Sequence, residues 1–126
     1  MNDFERRTLD CALRHIQSEV DAATLASMLL RLTKDLENSH PIWHWSEKTL
    51  LTALIKYERK TSSCPTFVDI LLMLRQNLDE EFRQEPDWIE FAEDTTENFR
   101  SSTILALEMR LSPFMMDIAF LQAASA

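Results

Sequence analysis

The chain has 126 residues, no glycine, two cysteines and a formal net charge of −8 at pH 7. That length suits one domain around one core, and a chain without glycine lacks the usual residue of phosphate-cradling loops and primed hairpin turns. The whole net charge sits in residues 79–97, where Asp79, Glu80, Glu81, Glu85, Asp87, Glu90, Glu93, Asp94 and Glu97 stand against Arg83 alone; such a cluster repels phosphate and favours basic protein partners.

Leu, Glu and Ala are the most frequent residues, all good helix formers as Arg is, and no run of alternating β-branched residues reads as a strand. The expected fold is all-α, a single compact bundle of five or six helices with no sheet, spanning residues 1–126 as one helical domain. No apolar stretch approaches the roughly 20 residues of a membrane span, and residues 2–7 lack the basic head and apolar core of a signal peptide. A cytoplasmic location and no membrane partner are therefore expected, and Cys11 and Cys64 read as buried, reduced small hydrophobes.

Residues 3–17 place Leu9, Leu13, Ile16 and Val20 at helical spacing. Ser18 followed by Asp21 resembles a capping box, so either a break falls at 18–21 or one long helix runs to Asn38. Leu25, Met28, Leu29, Leu32 and Leu36 form the next stripe. Residues 37–45 carry Pro41, Trp43 and Trp45 and read as a connector pinned to the core by its aromatics. Ser46 is then the expected cap of a third helix, with Glu47 complementing its dipole. Leu50, Leu51, Leu54 and Ile55 give this helix its buried face, and Lys56, Arg59 and Lys60 its basic end.

A turn over 61–65 leads to Thr66 and Asp69, a second capping box, which predicts a fourth helix with Phe67, Ile70, Leu71, Leu74 and Leu78 inward. Leu72 and Met73 widen that stripe and predict burial on two sides. After Pro86, Asp87 is the expected cap of a long fifth helix with Trp88, Phe91, Ala92, Thr95, Phe99, Ser102, Ala106 and Met109 on one face. Glu90, Glu93, Asp94 and Glu97 then project from the opposite face. Ile104, Leu105, Leu107 and Leu111 fall off that first stripe, which implies a central helix or a partner contact. Ser112 and Pro113 predict a restart as cap and first residue, followed by a very apolar terminal helix with Phe114, Met115, Met116, Ile118, Phe120 and Leu121.

Four residues have the type and count of a structural zinc site, Cys11 with His15 and His40 with His44, each pair separated by four positions. Pro41 interrupts the second pair, and a buried cysteine or surface histidine explains each residue separately, so no metal and no cofactor are assigned. A hydrolytic nucleophile needs Ser or Cys beside an oriented base, usually on a tight turn that glycine makes possible, and neither cysteine has that setting. Acid pairs such as Glu90 and Glu93, or Glu93 and Glu97, read as solvated charges on an exposed face in preference to acid–base or divalent-ion groups. No catalytic residue is assigned and the chain is read as a non-enzyme. The third and fourth helices invite a helix-turn-helix reading, but Phe67, Val68 and Asp69 would then meet the bases, and none of them reads base edges. No direct nucleic-acid contact is expected.

One passage carries a family likeness. A leucine-rich helix from Leu25 to Leu36 is followed by Pro41, Trp43 and Trp45, then by a helix ending Ala53, Leu54, Ile55, Lys56, Tyr57, and then by Cys64, Pro65, Thr66, Phe67, Val68, Asp69, Ile70. Residues 25–74 thus resemble the small helical domain of phage-type replicative helicase loaders and helicase inhibitors, in which a helix ending in tyrosine precedes a Pro-Thr-x-x-Asp-Ile helix start. The resemblance implies that Tyr57, Pro65, Thr66 and Asp69 determine the fold and that the partner surface lies elsewhere. Members of that family carry a flexible tail after this domain, whereas here two more apolar helices are expected. No ATP-binding motif is present, so the implied role is that of a non-ATPase adaptor or inhibitor.

The function expected from these features is a protein-interaction adaptor or regulator of phage or plasmid DNA replication that binds a helicase. The alternatives are an acidic inhibitor, of immunity or counter-defence type, that blocks a basic nuclease or nucleic-acid-binding complex, and a structural homo-oligomer. The partner-binding acidic face would be Asp87, Glu90, Glu93, Asp94 and Glu97. The apolar partner or oligomer contact would be Leu105, Leu111, Phe114 and Phe120.

Overall fold

A computed structural model describes the backbone of residues 3–33 and 41–125. Among the described residues there are six α-helices and no strand: α1 (Asp3–Arg14), α2 (Glu19–Leu32), α3 (Pro41–Thr61), α4 (Phe67–Arg75), α5 (Pro86–Glu93) and α6 (Glu97–Ser125), with one 3-10 turn at Phe82–Gln84. The all-α bundle expected from composition is the fold. α3 runs through its middle and packs against every other α-helix, most extensively α2 and α6, while α4 also lies along α6. Leu50, Leu51, Leu54 and Ile55 on α3 are fully buried, as their spacing predicts.

Two local signals act as read. The Ser18 hydroxyl accepts the Asp21 N–H at 3.2 Å, which starts α2 after a break, and the Thr66 hydroxyl accepts the Asp69 N–H at 3.3 Å, which starts α4. Phe67, Ile70, Leu71, Leu74 and Leu78 all turn inward, and Pro65 is buried beside them. Tyr57 meets Phe82 edge to face, ring centres 5.3 Å apart.

Other local signals lose to tertiary packing. Because the chain breaks at Ser18, Val20 starts a new helix out of phase with α1 and is 74% exposed. Met28 and Leu72 are also exposed, so α4 is buried on one side only. Ser46 caps nothing: α3 begins at Pro41, and Ser46 lies buried within it with its hydroxyl donating to the Trp43 carbonyl at 3.1 Å. Glu47 is no dipole partner at a helix end; it is buried and paired with Arg110 of α6, 3.0 Å from Oε2 to Nη2. Arg110 also donates to the Thr33 carbonyl at 3.0 Å, so one guanidinium joins the end of α2 to α3 and α6. Asp87 is not a cap either, since Glu85 precedes α5 and Pro86 opens it.

The predicted long fifth helix is two helices. Thr96 takes the Phe99 N–H on its hydroxyl at 3.2 Å, and Arg100 folds back to the carbonyls of Ala92 and Thr95, at 2.8 and 2.5 Å, closing the end of α5. That break resets the helical phase. α6 buries Thr103, Ile104, Leu107 and Leu111, while Met109 and Leu105, 63% and 56% exposed, face out; Ser102 is exposed as well. Nor does the chain restart at Ser112, because α6 continues to Ser125 through Pro113, which forgoes one backbone bond without ending the helix. The Ser112 hydroxyl instead accepts Arg75 Nη2 at 2.6 Å.

With no glycine available, the turn after α4 uses Asn77 and Leu78 in the left-handed region, at φ 59° and 60°. A β-carbon makes that region costly, least so for asparagine. Arg83 holds the pair in place, Nη2 on the Asn77 carbonyl at 2.7 Å and Nε on that of Leu78 at 3.3 Å. Its guanidinium also lies 5.1 Å from the centre of the Trp88 ring.

Candidate protein-interaction groove

The first turns of α3 carry three aromatic or titratable groups outward, His44, Trp45 and Lys48, because Leu50, Leu51 and Leu54 commit the other side to the core. Trp43 is fixed by stacking on Phe99 at 5.2 Å and 12°. Trp45 leans on Phe91 of α5 at 5.9 Å yet stays 43% exposed. The two tryptophans do pin this segment, as the sequence suggests, but as part of a helix.

Between α2, α3 and α5 lies a groove of about 560 Å³. Its walls include Glu19 of α2, His44, Trp45, Lys48 and Lys56 of α3, and Asp87, Glu90, Phe91 and Asp94 at α5. Lys56 bridges its two sides, 2.8 Å from Asp87 and 3.4 Å from Glu19. The hydrogen bond to Asp87, joined by the attraction of Asp87 and Glu19, holds the Lys56 ammonium above the usual lysine range against a smaller opposing effect of burial. Asp87 is therefore occupied. Glu90 and Asp94, one turn apart, enter no ion pair among the described residues, and neither does Lys48; the three line the groove beside an exposed indole.

The acidic stretch divides by task. Asp79 accepts the Phe82 N–H at 3.0 Å, Glu85 pairs with Lys60 at 2.8 Å, and Asp87 pairs with Lys56. Glu90, Glu93, Asp94 and Glu97 are exposed. Of the five residues assigned to an acidic face, Asp87, Glu90 and Asp94 line the groove, while Glu93 and Glu97 are not among its walls. Trp45, Lys48 and Glu19 share the groove with them, and sequence reading missed this grouping because it depends on how α2 and α5 pack on α3.

The apolar contact residues separate too. Leu105 is exposed, but Leu111 is fully buried in the chain's own core and has no surface to offer a partner. The side chains of Phe114 and Phe120 lie outside the described residues.

Cys11 and Cys64 are both exposed and unbridged, which corrects the expectation that they are buried. The Cys11 sulfur is 3.7 Å from His15 Nδ1, which donates to the Cys11 carbonyl at 2.7 Å. Arg14 donates to the Cys64 sulfur at 3.1 Å. His44 is in the groove, and His40 lies outside the described residues. Among the described residues no three His, Cys, Asp or Glu side chains group as metal ligands, and no helix is long and apolar enough to cross a membrane. Comparison with family models, with curated proteins and with solved structures finds no match to this chain.

Proposed function

We propose that this protein is a non-enzymatic adaptor or regulator that binds a basic segment of another protein in the groove between α2, α3 and α5. The observation that carries the reading is the joining of Glu90 and Asp94 to Trp45 around one concave surface. Carboxylates steer and select a cationic partner. An exposed indole gives a Lys or Arg side chain a flat apolar face and a cation–π contact, and tryptophan is among the residues that dominate interface energies. The resemblance of residues 25–74 to helicase loaders and inhibitors makes a replicative helicase the partner to try first.

A second reading rests on the exposure of Glu90, Glu93, Asp94 and Glu97 along α5 and at the start of α6. This set suits an inhibitor that lays carboxylates into the nucleic-acid cleft of a basic nuclease. The two readings part on Trp45, which the groove needs and the carboxylates alone do not.

The test is capture of partners from the native host by four tagged proteins: wild type, Glu90→Lys with Asp94→Lys, Trp45→Ala, and a Glu80→Lys control. The adaptor reading predicts a partner lost with both groove variants and kept with the control. Loss with the charge reversal alone, steepened by salt, supports the inhibitor. A captured set unaffected by either groove variant, or self-association alone, contradicts both.

A further inference from the structure

Where α3 turns into α4, a carboxyl group sits in a place that suits its protonated form. Glu58, in the last turn of α3, is 5% exposed, and its Oε2 atom is buried with no hydrogen-bond partner for an ionised oxygen. Across the turn stands the Asp69 carboxyl in the first turn of α4, close enough to that of Glu58 to hydrogen-bond with it once a proton is shared, with the Thr66 backbone beside them. Two ionised carboxylates in contact repel; with one proton between them they form an O–H···O⁻ hydrogen bond, and the orphaned oxygen acquires a role.

The surroundings are built around the same helix start. Thr66 caps the Asp69 N–H, and from α1 the Asp10 carboxylate accepts the Phe67 N–H at 3.1 Å. Arg14, one turn further along α1, reaches Cys64 in the turn itself. α1 therefore holds the first N–H of α4, and α3 meets the same helix start through the Glu58 and Asp69 carboxyls.

We propose that the Glu58–Asp69 carboxyl pair is a proton-operated clamp: with a shared proton it holds the 62–66 turn and the start of α4 against α3, and loss of that proton loosens the start of α4 together with α1, which is tied to it through Asp10. Among the described residues, the charged groups at this junction are Asp69 of α4, Asp10 and Arg14 of α1, and Arg59 next to Glu58 on α3. Asp79, Glu81 and Glu85 act on Tyr57. Burial, and then the charge of Asp69, push Glu58 from 4.5 up to about 7. The folded chain therefore binds this proton more tightly than the unfolded chain does. Its stabilisation is full below pH 4.5, declines as pH rises toward 7, and is gone above that.

The experiment is a carbon-13 NMR titration of the Glu58 side-chain carboxyl in the intact wild-type protein. It is paired with amide exchange at residues 66–69, corrected for intrinsic rates, at pH 5.5 and 8. A midpoint near 7 is expected, with protection falling about 25-fold to 30-fold between the two pH values. Glu58→Gln, which keeps a donor for Asp69, should abolish that fall, whereas His15→Asn, a change just beyond the end of α1, should leave it intact. A Glu58 carboxyl titrating at its ordinary value overturns the proposal even if the glutamine variant does not fold. So does the same pH dependence in Glu58→Gln.

Discussion

Arg110 offers the sharpest test of how the bundle is held. Its side chain is 15% exposed and that of Glu47 6%, with Nη2 3.0 Å and Nε 3.4 Å from the two carboxylate oxygens and Nη1 3.0 Å from the Thr33 carbonyl. Replacing Arg110 by Met retains most of the packing volume but strands a buried carboxylate and a carbonyl. Breaking a buried pair in this way costs about 3–5 kcal/mol, a large share of the roughly 5–15 kcal/mol of a typical domain. Replacing Glu47 by Met as well removes the stranded charge. The double variant should then recover most of the loss, keeping a deficit of about 1 kcal/mol from the Thr33 carbonyl. Urea unfolding followed by tryptophan fluorescence and circular dichroism measures both. A single variant within about 1 kcal/mol of wild type, or a double variant no better than the single, refutes the claim that this pair is desolvated and joins α2, α3 and α6.

Four further outcomes follow from the same geometry. Leu107→Ala should cost about 2–5 kcal/mol in chemical denaturation, while Leu105→Ala stays within about 0.5 kcal/mol, because the chain breaks before Thr96 and Leu107 is the buried member of the two. Thr66→Ala should cost about 1 kcal/mol through loss of the α4 cap. Asn77→Gly should raise stability by up to about 1 kcal/mol, since glycine adopts the left-handed region without penalty. Arg83→Ala should lower stability by about 1–2 kcal/mol, because it releases the carbonyls of Asn77 and Leu78; thermal melts of the last two variants should therefore move in opposite directions.

What the sequence discloses here is mostly what neighbouring residues decide. Ser18 with Asp21 and Thr66 with Asp69 are complete within four residues, and both cap as read. The α3 core stripe is equally local. The misreadings share one cause. Ser46 and Ser112 have the chemistry of caps, and Asp87 follows a proline, but each is claimed by a distant group or by an unbroken helix: Ser46 is buried within α3, Ser112 accepts Arg75, and Asp87 takes Lys56. The break before α6 was hidden for the opposite reason. Neither glycine nor proline marks it, and the Arg100 side chain that closes it acts over five to eight residues. One unmarked break then moved the whole buried face of α6 from the Ser102–Ala106–Met109 side to Ile104, Leu107 and Leu111.

The groove was half legible. The concentration of acids over residues 79–97 shows that an acidic segment is present, and the pattern of residues 37–45 marks Trp45 as an anchoring aromatic. Their meeting depends on α5 crossing α3 at Phe91, a contact between positions 46 residues apart that no local pattern encodes. The Glu47–Arg110 pair spans 63 positions and was invisible for the same reason.

The most direct test of the groove as the binding surface is site-specific photo-crosslinking in the native host. p-Benzoylphenylalanine is placed at Thr52, another wall of the groove, in one protein and at Leu105 in another, and the adducts are identified by mass spectrometry. A heterologous protein crosslinked from position 52 through a Lys- or Arg-rich segment, with none from position 105, is the predicted result. Adducts confined to position 105, or a second copy of this chain as the sole product, would contradict it.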